Sequence, residues 1–119
     1  MLALISPAKR LDFERDTDGP TMTQPALWTE SKLLLSELKK MSAPEVGALM
    51  KLSDKLANLN HQRFQTFPTN PKKALSGRPA VLAFDGDTYQ GLDAVSLGEA
   101  ELSYAQSHLC ILSGLYGVL

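Results

Sequence analysis

The chain has 119 residues and a mass of 13.0 kDa, which bounds it to one modest domain, and 44% of its residues are apolar, enough to build a core. A charged fraction of 21% and a net charge of −1 exclude the composition of a disordered tail. The single cysteine, Cys110, excludes an internal disulfide, and no apolar stretch approaches the roughly 18 residues that cross a bilayer. The basic residues Lys9 and Arg10 follow the apolar start, the reverse of a signal peptide. A cytoplasmic protein with no membrane association is therefore expected.

The charge is unevenly spread. Residues 1–78 hold all twelve Lys and Arg against eight acids, whereas residues 79–119 hold five acids and no base. A chain polarised in this way can offer a basic face to polyanions even though its total charge is near zero.

In chain order, the apolar run Leu2 to Ser6 stops at Pro7 and predicts a strand running into a Ser-Pro-Ala-Lys turn. Ser6 and Lys9 then lie beyond the strand's C-terminal end; by chemistry alone Ser6 initiates the turn and Lys9 is solvated. Asp12 to Thr23 is polar and rich in breakers, a surface loop. A helix follows, with Thr23 as N-cap and Pro25 in its first turn. Leu27, Leu34, Leu38 and Met41 recur at helical spacing as its apolar stripe, with Lys32, Glu37, Lys39 and Lys40 on the other side. Trp28 either joins the core, the commoner outcome, or marks a contact surface.

Ser42-Ala43-Pro44-Glu45 is a capping box with proline in the first turn, and it opens a short helix from Pro44 to Met50. A second helix runs from Asp54 to about Phe67 with Ser53 as N-cap. Leu52, Leu56, Leu59 and Phe67 form its apolar side, and Lys55, Asn60, His61 and Arg63 supply polar reach. Two short helices joined by a tight turn make a helix-hairpin-helix candidate. The second helix begins with free backbone N–H groups and a positive dipole end, which suits an anionic oxygen. The stretch 51–78 carries six bases (Lys51, Lys55, Arg63, Lys72, Lys73, Arg78) against one acid, Asp54. Such a patch would bind a duplex backbone with little sequence preference and strong salt dependence. The turn lacks the paired glycines typical of DNA-binding hairpins, so an ordinary helical hairpin with a solvated basic face is the rival reading. The candidate DNA-binding residues are Lys51, Ser53, Lys55, Asn60, Arg63, Lys72 and Lys73.

Residues 67–79 read as an exposed loop. Val81 to Phe84 is a short apolar run bounded by Pro79 and Gly86, and it reads as a buried strand. Beyond it, Asp85, Asp87, Thr88, Tyr89 and Gln90 arrive together, punctuated by Gly86 and Gly91; in open α/β sheets such strand ends are where ligand sites form. Ser96-Leu97-Gly98-Glu99 is a second capping box, opening a helix to about His108. Leu109 to Leu112 is a further strand and Ser113 to Gly117 a turn. The simplest packing is a strand–helix–strand crossover from Val81 to Leu112. If the three strands lie parallel in one sheet, the polar turns after Ser6, Asp85 and Ser113 meet at one edge.

The fold class that follows is α/β (mixed α+β), a short, partly parallel sheet flanked by helices, with a helix-hairpin-helix element. The apolar end at Val118 and Leu119, and the need of a parallel sheet for cover on both faces, read as one domain truncated at Leu119. An enzymatic alternative places a phosphorylated or nucleotide-like ligand at Lys9, Asp85, Asp87 and Tyr89. There Lys9 would stabilise negative charge, and an aspartate would serve as base or magnesium ligand. No resident metal or cofactor is expected, because His61 and His108 are far apart in sequence and Cys110 is alone. Cys110, inside an apolar run, reads as a buried thiol.

Four blocks together resemble the YaaA-type peroxide-stress proteins of bacteria: Leu-Ile-Ser-Pro-Ala-Lys at 4–9, Leu-Ser-Asp-Lys-Leu-Ala at 52–57, Phe-Asp-Gly-Asp-Thr-Tyr-Gln-Gly-Leu at 84–92, and Leu-Ser-Gly-Leu-Tyr-Gly-Val-Leu at 112–119. Asn60 and Arg63-Phe64 fit the same pattern, and the order and spacing of the blocks cover the whole chain. The resemblance implies a cytosolic protein, induced under peroxide stress, that lowers unincorporated iron and so limits Fenton damage to DNA. It further implies binding of double-stranded and branched DNA through a positively charged cleft and a hairpin at Leu49 to Leu59, on a mixed α/β fold. Ser6, Lys9, Asp85, Tyr89, Ser113 and Tyr116, with Asp87 in the same motif, would line or support that cleft. Neither a catalytic reaction nor an obligate protein partner comes with the resemblance.

Overall fold

The computed structural model describes residues 1–14, 22–68, 70 and 77–119. Its elements, in chain order, are β1 (Ala3–Ile5), β2 (Arg10–Leu11), α1 (Trp28–Leu38), α2 (Ala43–Met50), α3 (Asp54–Thr66), α4 (Ala80–Ala83), β3 (Phe84–Asp85), α5 (Asp87–Leu92), a 3-10 turn (Ala94–Ser96), α6 (Glu99–His108), β4 (Leu109–Ser113) and β5 (Gly117–Val118). This is the mixed α/β class that the sequence predicts. The main sheet has the order β1-β4-β5, with β1 and β4 parallel and β4 and β5 antiparallel. A separate antiparallel pair joins β2 to β3, with Arg10 opposite Asp85.

Several expectations require correction. Val81 to Ala83 is a helical turn rather than a strand: the N–H groups of Leu82 and Ala83 both donate to the Pro79 carbonyl. Ala80, Leu82 and Ala83 favour helix, and a four-residue apolar run carries no periodicity to separate the two states. Extended backbone begins only at Phe84. The strand it forms pairs with β2, so the crossover from Val81 to Leu112 within one sheet does not occur; the parallel connection runs from β1 to β4. The turns after Ser6 and Ser113 share one edge of the main sheet, as expected for parallel neighbours, whereas Asp85 lies in the separate β2–β3 pair.

Helix α1 begins at Trp28 with Leu27 as cap, not at Thr23. Its buried face is Trp28, Ser31 and Leu35, whereas Leu27 and Leu34 of the expected stripe are exposed. Apolar residues occupy three consecutive positions at 33–35, so periodicity does not fix the inward face; the large indole does, by seating against Phe67 and Tyr116. Ser31 is tolerated inside because its hydroxyl donates to the Leu27 carbonyl at 2.9 Å.

The expected capping box of α2 forms, with the Glu45 carboxylate accepting from both the N–H and the hydroxyl of Ser42, at 2.8 and 2.7 Å. These two bonds, the hydroxyl contribution first, hold the Glu45 carboxyl below its ordinary range. The box of α6 is shifted by two residues. Gly98 is the cap, and Glu101 reaches back to its N–H at 2.7 Å. Ser96 is consumed by the preceding 3-10 turn, where its hydroxyl donates to the Asp93 carbonyl.

Packing is tightest between α2 and α3. Val46 of α2 is fully buried, a contribution of about 2 kcal/mol for a side chain of this size. A Cβ on Gly47 would lie 2.9 Å from the Ala57 Cβ, so glycine is what permits the helices to approach. At the other end of the chain Gly117 meets two demands at once: φ is +74°, and Leu27 fills the space where a side chain would stand.

Candidate functional site

Helices α2 and α3 are joined by the turn Lys51-Leu52-Ser53. Lys51 closes α2 in the left-handed conformation (φ 52°, ψ 53°), and the Leu52 N–H donates to the Gly47 carbonyl. A lysine thus occupies the position that glycine usually holds. Lys51, Ser53, Lys55 and Arg63 are all exposed. Among the described residues the three cations make no ion pair, so their charge faces solvent. Asn60 is half-buried, and its amide donates to the Leu56 carbonyl of its own helix at 2.8 Å. Lys72 and Lys73 lie outside the described residues.

The C-terminal end of α3 is anchored to the end of α1. Lys39 donates to the Phe67 carbonyl at 3.1 Å, and the Gln65 amide donates to the Lys39 carbonyl at 2.8 Å. Trp28, Phe67 and Tyr116 form a three-ring cluster with centroids 6.2 to 6.3 Å apart. That cluster joins α1, the end of α3 and the final turn, and burial pushes the Tyr116 phenol above its ordinary pKa.

The polar turns divide into two groups. Ser6 and Tyr89 come together: the Tyr89 hydroxyl donates to the Ser6 carbonyl at 2.7 Å, and its ring packs on Phe84 with centroids 5.3 Å apart. Tyr89 is buried, and that burial raises its phenol pKa. Asp85 is half-buried, pairs with Arg10 at 2.5 Å and accepts from the Gln90 amide at 3.2 Å. Asp87 is exposed in the first turn of α5. The second group is Ser113 and Tyr116, which follow β4 at the same sheet edge as the Ser6 turn because β1 and β4 are parallel neighbours, the Ser113 hydroxyl accepting the Tyr116 N–H at 3.1 Å. A shallow groove beside the first group is lined by Asp12, Phe84, Asp85, Tyr89, Gln90 and Asp93, among others.

The enzymatic arrangement requires Lys9 beside a carboxylate. Lys9 is exposed, and the cation that pairs with the Asp85 carboxylate is Arg10. Among the described residues no three His, Cys, Asp or Glu side chains are grouped to hold a metal ion. Arg10 was not among the expected site residues. A two-residue strand leaves no periodic signal, so only the pairing of β2 with β3 reveals it.

The family model of the peroxide stress protein YaaA matches residues 1–119. The chain is 51% identical over 119 residues to a UPF0246 protein of Polaromonas naphthalenivorans and 49% identical over 119 residues to one of Alteromonas mediterranea. A UPF0246 protein of Albidiferax ferrireducens is 50% identical over 120 residues. In each case the match covers 100% of this chain and 46% of the relative, so the chain spans about half the length of the curated relatives it matches. With its whole length matched at this level of identity, the chain belongs to the peroxide stress protein YaaA family.

Proposed function

We propose that the α2–α3 hairpin is a sequence-independent docking surface for duplex DNA, in a protein that protects cells against peroxide. The observation that carries this reading is the trio Lys51, Lys55 and Arg63, exposed around the hairpin and free of ion pairs among the described residues. Solvated cations on a rigid helical pair neutralise backbone phosphates and release counterions, without reading bases. The tight Gly47–Ala57 contact keeps the cations in a fixed relation to one another. The protective reading includes lowering unincorporated iron, for which family membership is the support.

The test is a salt titration of duplex binding by this chain and by the double variant Lys51→Glu, Lys55→Glu. Two lost phosphate contacts reduce the slope of log affinity against log salt by about 2. An unchanged slope and affinity in the double variant would remove the hairpin from DNA binding. For iron, the measurement is the chelatable iron of peroxide-treated cells with and without the protein; equal pools refute that part.

A further inference from the structure

The main sheet has one face covered around Ile111, with Ala3 exposed at its near end, and one open face, and register places the strand side chains on one or the other. On the covered face lie Ile5 and Ile111, the latter only 4% exposed. The opposite face carries Leu4 beside Cys110, then Leu112 beside Val118, with Leu2 continuing the alternation before β1. Leu2, Leu4, Leu112 and Val118 are 58%, 61%, 42% and 39% exposed. No charged residue interrupts this stripe. Parallel-paired strands are ordinarily covered on both faces, so an uncovered apolar face next to the β1–β4 pair is out of keeping with the rest of the sheet.

We infer that this face is the docking surface for the part of the full-length protein that lies outside the matched region, which makes up more than half of each curated relative. Two arguments select that occupant over a second copy of the chain. Five half-exposed side chains offer on the order of 400 Å² per copy, well short of the roughly 800 Å² per partner of a stable interface. A segment of the same polypeptide needs no such area, because tethering supplies an effective concentration in the millimolar range. The stripe is also uncharged and narrow, which fits one apolar helix face better than a reciprocal sheet.

Cys110 sits in the middle of the stripe and is the reporter. The test compares its alkylation rate in this chain with the rate in the same chain joined to the unmatched part of the Polaromonas relative, cysteines of that part replaced by serine. Circular dichroism establishes that both are folded. The expected result is alkylation at least about tenfold slower in the joined chain, since reaction then awaits local opening. Leu4→Asp with Leu112→Asp restores the fast rate in the joined chain, whereas Leu33→Asp, on the exposed side of α1, does not. Equal rates in the two unmodified chains overturn the inference without need of any variant. So does protection that survives Leu4→Asp with Leu112→Asp. Sedimentation of the 119-residue chain as a dimer with Cys110 already protected would assign the face to a second copy instead.

Discussion

Replacing Gly47 by alanine sets two effects of known size against each other. In an exposed helix the change stabilises by about 1 kcal/mol, because alanine loses less backbone freedom on folding. At this position the new Cβ meets the Ala57 Cβ at 2.9 Å, well inside the roughly 3.5–4.0 Å of ordinary carbon contact. Both atoms are short and carried on helical backbone, so the helices must part. Overpacking of this kind costs about 1–3 kcal/mol. The net expectation is destabilisation of about 1 kcal/mol, a fall of roughly 4 °C in melting temperature for a chain of this length. The companion change Ala57→Gly removes the obstructing methyl, at the expense of helix propensity and a buried contact, so alone it destabilises by about 2 kcal/mol. Combined, the two changes exchange the methyl between the helices and restore near-native stability. Urea unfolding followed by circular dichroism therefore yields a favourable coupling of about 2–3 kcal/mol. A stabilised Gly47→Ala variant with no coupling to Ala57→Gly would refute the close approach of α2 and α3, and with it the rigid spacing of Lys51 and Lys55.

Two further outcomes test the packing of the polar turns. Tyr89→Phe deletes the hydrogen bond to the Ser6 carbonyl, so urea unfolding should show a loss of about 1 kcal/mol; an unchanged midpoint would mean the turns are held together by the ring alone. Burial raises the Tyr116 and Tyr89 phenols above their ordinary value of 10.0. Below pH 10.0 both phenols are protonated in the folded and unfolded states alike; above it the unfolded chain releases protons first, so stability falls as pH rises through the folded values. Unfolding measured across this alkaline range should show that fall, less steep in Tyr116→Phe, and a flat profile refutes the burial of both rings.

Local signals in the sequence determine the elements that rest on local chemistry. Ser42 and Glu45 announce the start of α2, and Ser53 that of α3, because a cap is settled within one turn of chain. The apolar runs at Leu2 to Ser6 and Leu109 to Leu112 locate β1 and β4, although the parallel ladder between them is what holds both extended. The basic stretch from Lys51 to Arg63 is legible as charge, and the four spaced blocks carry the family. Tertiary structure decides what depends on partners distant in sequence. Val81 to Ala83 turns helical because nothing in four apolar residues distinguishes the two states, and Asp85 pairs with Arg10 because a two-residue ladder brings β2 to β3. Trp28 selects the buried face of α1 through Phe67 and Tyr116, rings some 40 and 90 residues away in the chain that no 3.6-residue period can foresee. Which face of the main sheet is covered is decided the same way, since alternation separates two faces but only packing chooses between them.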